Sequence, residues 1–208
     1  MVEMRVDRDE AFEIAVSILA ISLVFTFVEG GLNVQPSTFV FYMIASVITL
    51  GSGFVLHELS HKYFAIKYGA KARFKAWPAG LALALGLAVI PQILGWGAIF
   101  FIAPGAVYIY SVRGISVKEN GVISLAGPAM NWVLAFIFLM LMLVVQPGVI
   151  VSTVLYFGFR VNLMLALFNL IPIFPLDGSK VLAWDMKIWL AAVAISFLGL
   201  GVPALLGI

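Results

Sequence analysis

All the histidine in this chain sits in one string, His57-Glu58-Leu59-Ser60-His61. On a helix, positions i and i+4 share a face, so both imidazoles can grip one metal ion while Glu58, one residue round, reaches a water beside it. Nitrogen ligands at this spacing suit zinc in a tetrahedral site. A catalytic site also keeps one position open, so a third protein ligand is required. The same string arises by chance on solvated helices, where ionisable groups cost little. Here it interrupts an apolar run, where an uncompensated charge costs about 2.5 kcal/mol or more and an ionisable residue points to function.

The third ligand must be oxygen or nitrogen, because the chain has no cysteine. Beyond the N-terminal segment the acids are Glu29, Glu58, Glu119, Asp177 and Asp185. Asp177 closes the string Asn169-Leu-Ile-Pro172-Ile-Phe-Pro175-Leu-Asp177-Gly178, in which two prolines forbid a continuous helix. Read blandly, that string is a surface turn with a solvated carboxylate. Broken backbone at membrane depth, however, is tolerated only inside protein or beside a watery cavity, which is what a metal site needs. Topology then favours Asp177, because its segment and the histidine helix end on the same side of the membrane.

The elements that position these residues are read from composition. The 208 residues are 63% hydrophobic and 11% charged, where a soluble domain has about half and a quarter. This is a membrane protein with room for roughly five to seven apolar segments of about 20 residues each. A formal charge of +2 with no dense basic stripe excludes a nucleic-acid partner, and no Gly-rich phosphate loop is present. The apolar run Ala11 to Val28 lacks a following cleavage site and reads as a retained helix.

A second apolar helix runs from Thr38 to Lys67. It is longer than the hydrocarbon core, so it must tilt, protrude or bend near Gly51-Ser-Gly53. Lys62, Lys67, Lys71, Arg73 and Lys75 follow within fourteen residues, whereas the preceding loop has no Lys or Arg. The positive-inside rule therefore puts the end of this helix in the cytoplasm. Lys71 to Trp77 alternates basic and apolar residues and reads as an interfacial strand, and Ala106 to Val112 is a second strand candidate. If the two pair, the apolar stretch Leu81 to Ile102 between them must go in and come back, turning over Pro91 to Gly97. Further helices follow at Gly121 to Val145 and Val149 to Leu170, joined by Gln146-Pro147-Gly148, and at Ile188 to Leu206. The expected architecture is an all-α polytopic membrane protein with five full transmembrane helices, a re-entrant hairpin and a small interfacial β-hairpin. With this topology Arg160 alone among the basic residues lies deep in a helix, paired with an acid or snorkelling along a cavity.

These residues resemble the site-2 protease family, which are intramembrane zinc metalloproteases. The resemblance rests on His57-Glu58-x-x-His61, on Gly127-Pro128-x-x-Asn131 opening an intervening helix, and on Asn169-x-x-Pro172-x-x-Pro175-Leu176-Asp177-Gly178, in the family's order. It implies one zinc ion per chain held by His57, His61 and Asp177, with Glu58 as catalytic base. It also implies an interfacial hairpin able to pair with an unwound substrate. A single membrane-embedded domain over 1–208 is expected, with a catalytic core at about 38–187 and no PDZ or CBS module. Ser179 stands where the family often has a second Gly, and the insert Leu81 to Ile102 is long.

The expected activity is hydrolysis of peptide bonds in or near transmembrane helices of membrane-protein substrates, at a site facing the cytoplasm in a multi-pass protein of the cell membrane. Asn131 or Asn169 would offer a side-chain amide to the developing oxyanion. Equally, both asparagines could join helices by hydrogen bonding. The rival readings are a metallopeptidase with a glutamate ligand acting on soluble or prenylated peptides, a membrane metal-ion transporter, and a non-proteolytic metal-binding membrane protein. Asp177 in its proline-broken string speaks against the first. A transporter needs no base beside its ligands, so Glu58→Gln separates transport from proteolysis.

Overall fold

A computed structural model describes residues 5–99, 101, 104–112, 114–145 and 148–207. The expected features at Phe100, Ile102, Arg113 and the Gln146-Pro147 turn lie outside the described residues. Helix α1 (Arg8–Gly30) starts where Asp7 caps it, accepting from the Glu10 N–H at 2.8 Å. It stops at Gly31, whose φ of 72° is in the region that glycine tolerates best. Pro36 opens α2 (Pro36–Ser46) at a position where its missing N–H costs nothing. The helix continues through a π-helical turn (Val47–Gly51) into α3 (Ser52–Lys67). The expected bend near Gly51 is thus a local widening of one 32-residue helix, Pro36–Lys67. A Cβ on Gly51 would come 2.9 Å from Ile18, so the bare backbone lets that turn lie against α1.

The two expected strands form and pair, as β1 (Lys71–Ala76) and β2 (Gly105–Tyr110). The Trp77 N–H donates to the Pro104 carbonyl at 2.8 Å, so the end of β1 meets the start of β2 and the pair is antiparallel. On the other edge of β1, the N–H groups of Phe74 and Ala76 donate to carboxylates of α1, Glu10 Oε1 at 2.9 Å and Glu13 Oε2 at 2.7 Å. Phe74 is buried and stacks edge-on against Phe54, with centroids 5.4 Å apart. Because residues 77 and 104 are bonded, the chain between them leaves and returns to one place. Its helix α4 (Pro78–Ile93) has 16 residues, about 24 Å, which is short of a bilayer core of about 30 Å.

The remaining elements are α5 (Val117–Val145), α6 (Val149–Asn169), α7 (Asp177–Trp184), α8 (Met186–Gly199) and α9 (Val202–Leu206). Ala135, Phe159 and Leu163 form a core between α5 and α6, with Trp132 packed against it. The indole N–H of Trp132 finds the Ser196 hydroxyl at 2.8 Å. The last apolar stretch differs from the single crossing expected at Ile188 to Leu206. It divides at 200–201, where Gly201 and Pro203 interrupt the helical ladder, and α8 alone has 14 residues. Among the described residues, four helices are long and apolar enough to cross a membrane: Arg8–Gly30, Pro36–Lys67, Val117–Val145 and Val149–Asn169. By packing, the chain forms two compact units, one of Arg5–Val55 with Arg73–Tyr108, the other built chiefly of Leu56–Ala72 with Ile109–Ile208.

Candidate metal centre

The second unit holds the whole candidate site. His57 and His61 lie one turn apart on α3, with their Nε2 atoms 3.0 Å from each other. Asp177 is the first residue of α7. Its Oδ2 lies 3.3 Å from Nε2 of His57 and 3.1 Å from Nε2 of His61. The chain from Leu170 to Leu176 cannot extend α6, since Pro172 and Pro175 withhold N–H groups, and it turns to start α7 at the histidines. Gly178 makes that turn possible, because a Cβ there would collide with the Leu170 carbonyl. All three side chains are buried and could together hold a metal ion.

A stripe on α5 holds the two imidazoles from behind. Ile123, Gly127 and Asn131 are spaced i, i+4, i+8 and so share one face. The Ile123 carbonyl accepts from Nδ1 of His61 at 2.7 Å, and Asn131 Oδ1 accepts from Nδ1 of His57 at 2.6 Å. A neutral imidazole that donates through Nδ1 presents a lone pair at Nε2. With both rings neutral, two such lone pairs and a carboxylate oxygen converge on one point, a donor set that a cation would complete. Between them on the stripe, Gly127 has no side chain to fill the space. A Cβ there would be 2.5 Å from Nε2 of each histidine.

A relative named "Putative zinc metalloprotease MJ0611", from Methanocaldococcus jannaschii, is 43% identical over 195 residues, covering 94% of each chain. This chain belongs to the same zinc metalloprotease family. "Putative zinc metalloprotease YwhC" of Bacillus subtilis is 33% identical over 154 residues, 65% of this chain and 66% of that one. "Zinc metalloprotease MJ0392" of M. jannaschii is 28% identical over 161 residues, of which this chain spans 39% of the relative's length. No family model matches the chain. No solved structure matches it either.

The residues of this metalloprotease fit zinc on three independent grounds. Two imidazole nitrogens and a carboxylate oxygen are among zinc's usual donors. Ligands about 2.0–2.1 Å from a tetrahedral zinc are about 3.3–3.4 Å apart, and the three separations here are 3.0, 3.1 and 3.3 Å. Finally, Oε2 of Glu58 is buried with no hydrogen-bond partner among the described residues. A buried carboxylate oxygen left so is costly unless a ligand or reactant completes it.

Lys180 lies beside the cluster, 3.6 Å from Asp177 Oδ1, and donates to the Pro175 carbonyl at 3.0 Å. Asn169 ends α6 half-buried, with its Nδ2 donating to the Leu165 carbonyl at 2.9 Å. Asn131 is wholly buried against His57. Two contributors, the Ile123 carbonyl and Asn162, escape a reading of the sequence, and a third, Gly127, enters it only through its motif. The Ile123 carbonyl carries no side-chain signal, Gly127 is legible only as part of a motif, and Asn162, which accepts from Asn131 Nδ2 at 3.0 Å, stands alone in an apolar run.

Proposed function

We propose that this zinc metalloprotease is an intramembrane protease of the site-2 type, cutting membrane-protein substrates within or next to their transmembrane helices. The observation that carries this is the placement of His57, Glu58 and His61. They sit buried on Pro36–Lys67, a helix long and apolar enough to cross a membrane, so a peptide reaches them at membrane depth. The clustered Lys and Arg after that helix argue for a cytoplasmic-facing site in a multi-pass protein of the cell membrane. The return of the chain from Trp77 to Pro104 supports a re-entrant excursion for α4.

His57, His61 and Asp177 would hold the zinc, which supplies a Lewis acid that polarises the scissile carbonyl and makes water easier to deprotonate. Glu58 takes the water's proton and passes it to the leaving amine, so hydrolysis needs no covalent intermediate. Asn169 retains a second amide N–H and serves as a donor for the oxyanion. A helical substrate must first unwind, because its carbonyls are occupied. Pairing with a strand edge replaces the lost bonds. The resemblance assigns that pairing to the β1–β2 hairpin, where Glu10 and Glu13 already occupy the outer edge of β1.

The test is to reconstitute purified protein in liposomes with a tagged single-span helix and map the cut by mass spectrometry. The reading predicts a single cut inside or within a few residues of the apolar segment. Cleavage confined to soluble flanks, or of soluble peptides alone, overturns it. Metal flux without cleavage would favour a transporter.

A further inference from the structure

Arg160 is the one charged residue of α6 (Val149–Asn169), and the metal centre does not account for it. It stands eleven residues after the first residue of that helix and nine before the last. At about 1.5 Å per residue, those are distances of about 16 Å and about 14 Å. Where α6 crosses a bilayer, Arg160 is therefore near the middle. Its side chain is exposed on an apolar helix, and it has no hydrogen bond or ion pair among the described residues. A guanidinium offers five N–H donors and no acceptor. An uncompensated charge at that depth is costly, and an ionisable residue there is a mark of function.

Three sources of negative charge could compensate it, and depth separates them. A lipid phosphate lies outside a hydrocarbon core of about 30 Å, whereas the five bonds of an arginine side chain, about 1.5 Å each, reach at most about half-way to either end of the helix. A second copy of this chain fails for a related reason. Among the described residues its acids sit at helix ends, as Glu29 and Asp185 do, accept from strand N–H groups, as Glu10 and Glu13 do, or are buried at the metal centre, as Glu58 and Asp177 are. A carboxylate borne on another protein's transmembrane helix can lie at any depth, the middle included. Its two oxygens also match the guanidinium fork. We propose that Arg160 is a docking point for a membrane-protein partner whose transmembrane helix carries an aspartate or glutamate near its middle. The proposal rests on α6 crossing the bilayer and on no step of peptide hydrolysis.

The experiment measures association, by energy transfer in phosphatidylcholine liposomes, between the full chain and synthetic single-span Leu-Ala helices. The midpoint residue of the helix is Glu or Gln, or the Glu is moved to one end. The full chain carries Glu58→Gln throughout, so that the probe is not consumed. The central-Glu helix should bind roughly tenfold more tightly than the central-Gln helix, the scale of a polar contact between model transmembrane helices. Moving the Glu to one end, or Arg160→Leu in the chain, should erase that difference. Arg160→Glu paired with a central-Lys helix should restore it. Equal binding of the central-Glu and central-Gln helices, or a preference that survives Arg160→Leu, overturns the proposal. If phosphatidylglycerol added to the liposomes binds in an Arg160-dependent way while the helices show no preference, the charge belongs to a lipid phosphate and the proposal falls. If Arg160→Leu does not fold, Arg160→Gln is read in the same way.

Discussion

The two compact units both bury polar side chains in apolar surroundings, but they satisfy them differently. In Arg5–Val55 with Arg73–Tyr108, side chains turn to backbone. Glu10 and Glu13 accept from strand N–H groups, Gln92 donates to the Phe27 carbonyl at 3.0 Å, and Thr26 and Thr49 bond carbonyls one turn back at 2.8 Å each. Those bonds finish secondary structure. Around His57 and His61, by contrast, side chains turn to one another, with His57 on Asn131, Asn131 on Asn162, and Asp177 on both rings. Burying so many mutually dependent groups is costly unless each is satisfied, so the convergence marks the place where function sets the sequence.

The sharpest break of this contrast is at Asp177. Asp177→Ala removes an anionic donor from the cluster, and zinc affinity should fall by more than the roughly 10–100-fold cost of an outer partner, as measured by metal content after dialysis against chelator. A smaller effect is expected at Gly127. The methyl of Gly127→Ala would press on two rings that are pinned through Nδ1, and overpacking of this kind costs about 1–3 kcal/mol. Zinc affinity should drop while the metal-free protein still folds. Smallest for the metal is Glu10→Leu in the other unit, which strands the Phe74 N–H. Stability in denaturant should fall by about 1–3 kcal/mol with zinc content unchanged. A loss of zinc there would erase the distinction between the two units.

Much of this arrangement is legible in the sequence because periodicity and scarcity carry it. His57 and His61 pair by helical spacing in a chain with no other histidine. Asp177 stands out because so few acids interrupt the apolar segments and because prolines break the backbone before it. The alternation expected over Lys71 to Trp77 gives β1, which ends one residue earlier at Ala76, while β2 begins at Gly105 and ends at Tyr110, where the sequence suggests Ala106 to Val112. The interruption at 200–201 was hidden inside an apolar run, where hydropathy outweighs the local effect of Gly201 and Pro203. Asn162 is not legible at all, since its meaning comes from a partner 31 positions away on another helix, and no spacing rule links the two.

The central claim is that zinc held by His57, His61 and Asp177 works with Glu58 to hydrolyse peptide bonds. It is tested most directly by measuring metal content and cleavage of a single-span substrate on the same preparations of wild type and Glu58→Gln. The prediction is about one zinc per chain in both, with cleavage reduced by roughly 10²–10⁴-fold or more in the variant, as loss of a general base requires. Undiminished cleavage by Glu58→Gln, or wild-type cleavage with no metal bound, would contradict it.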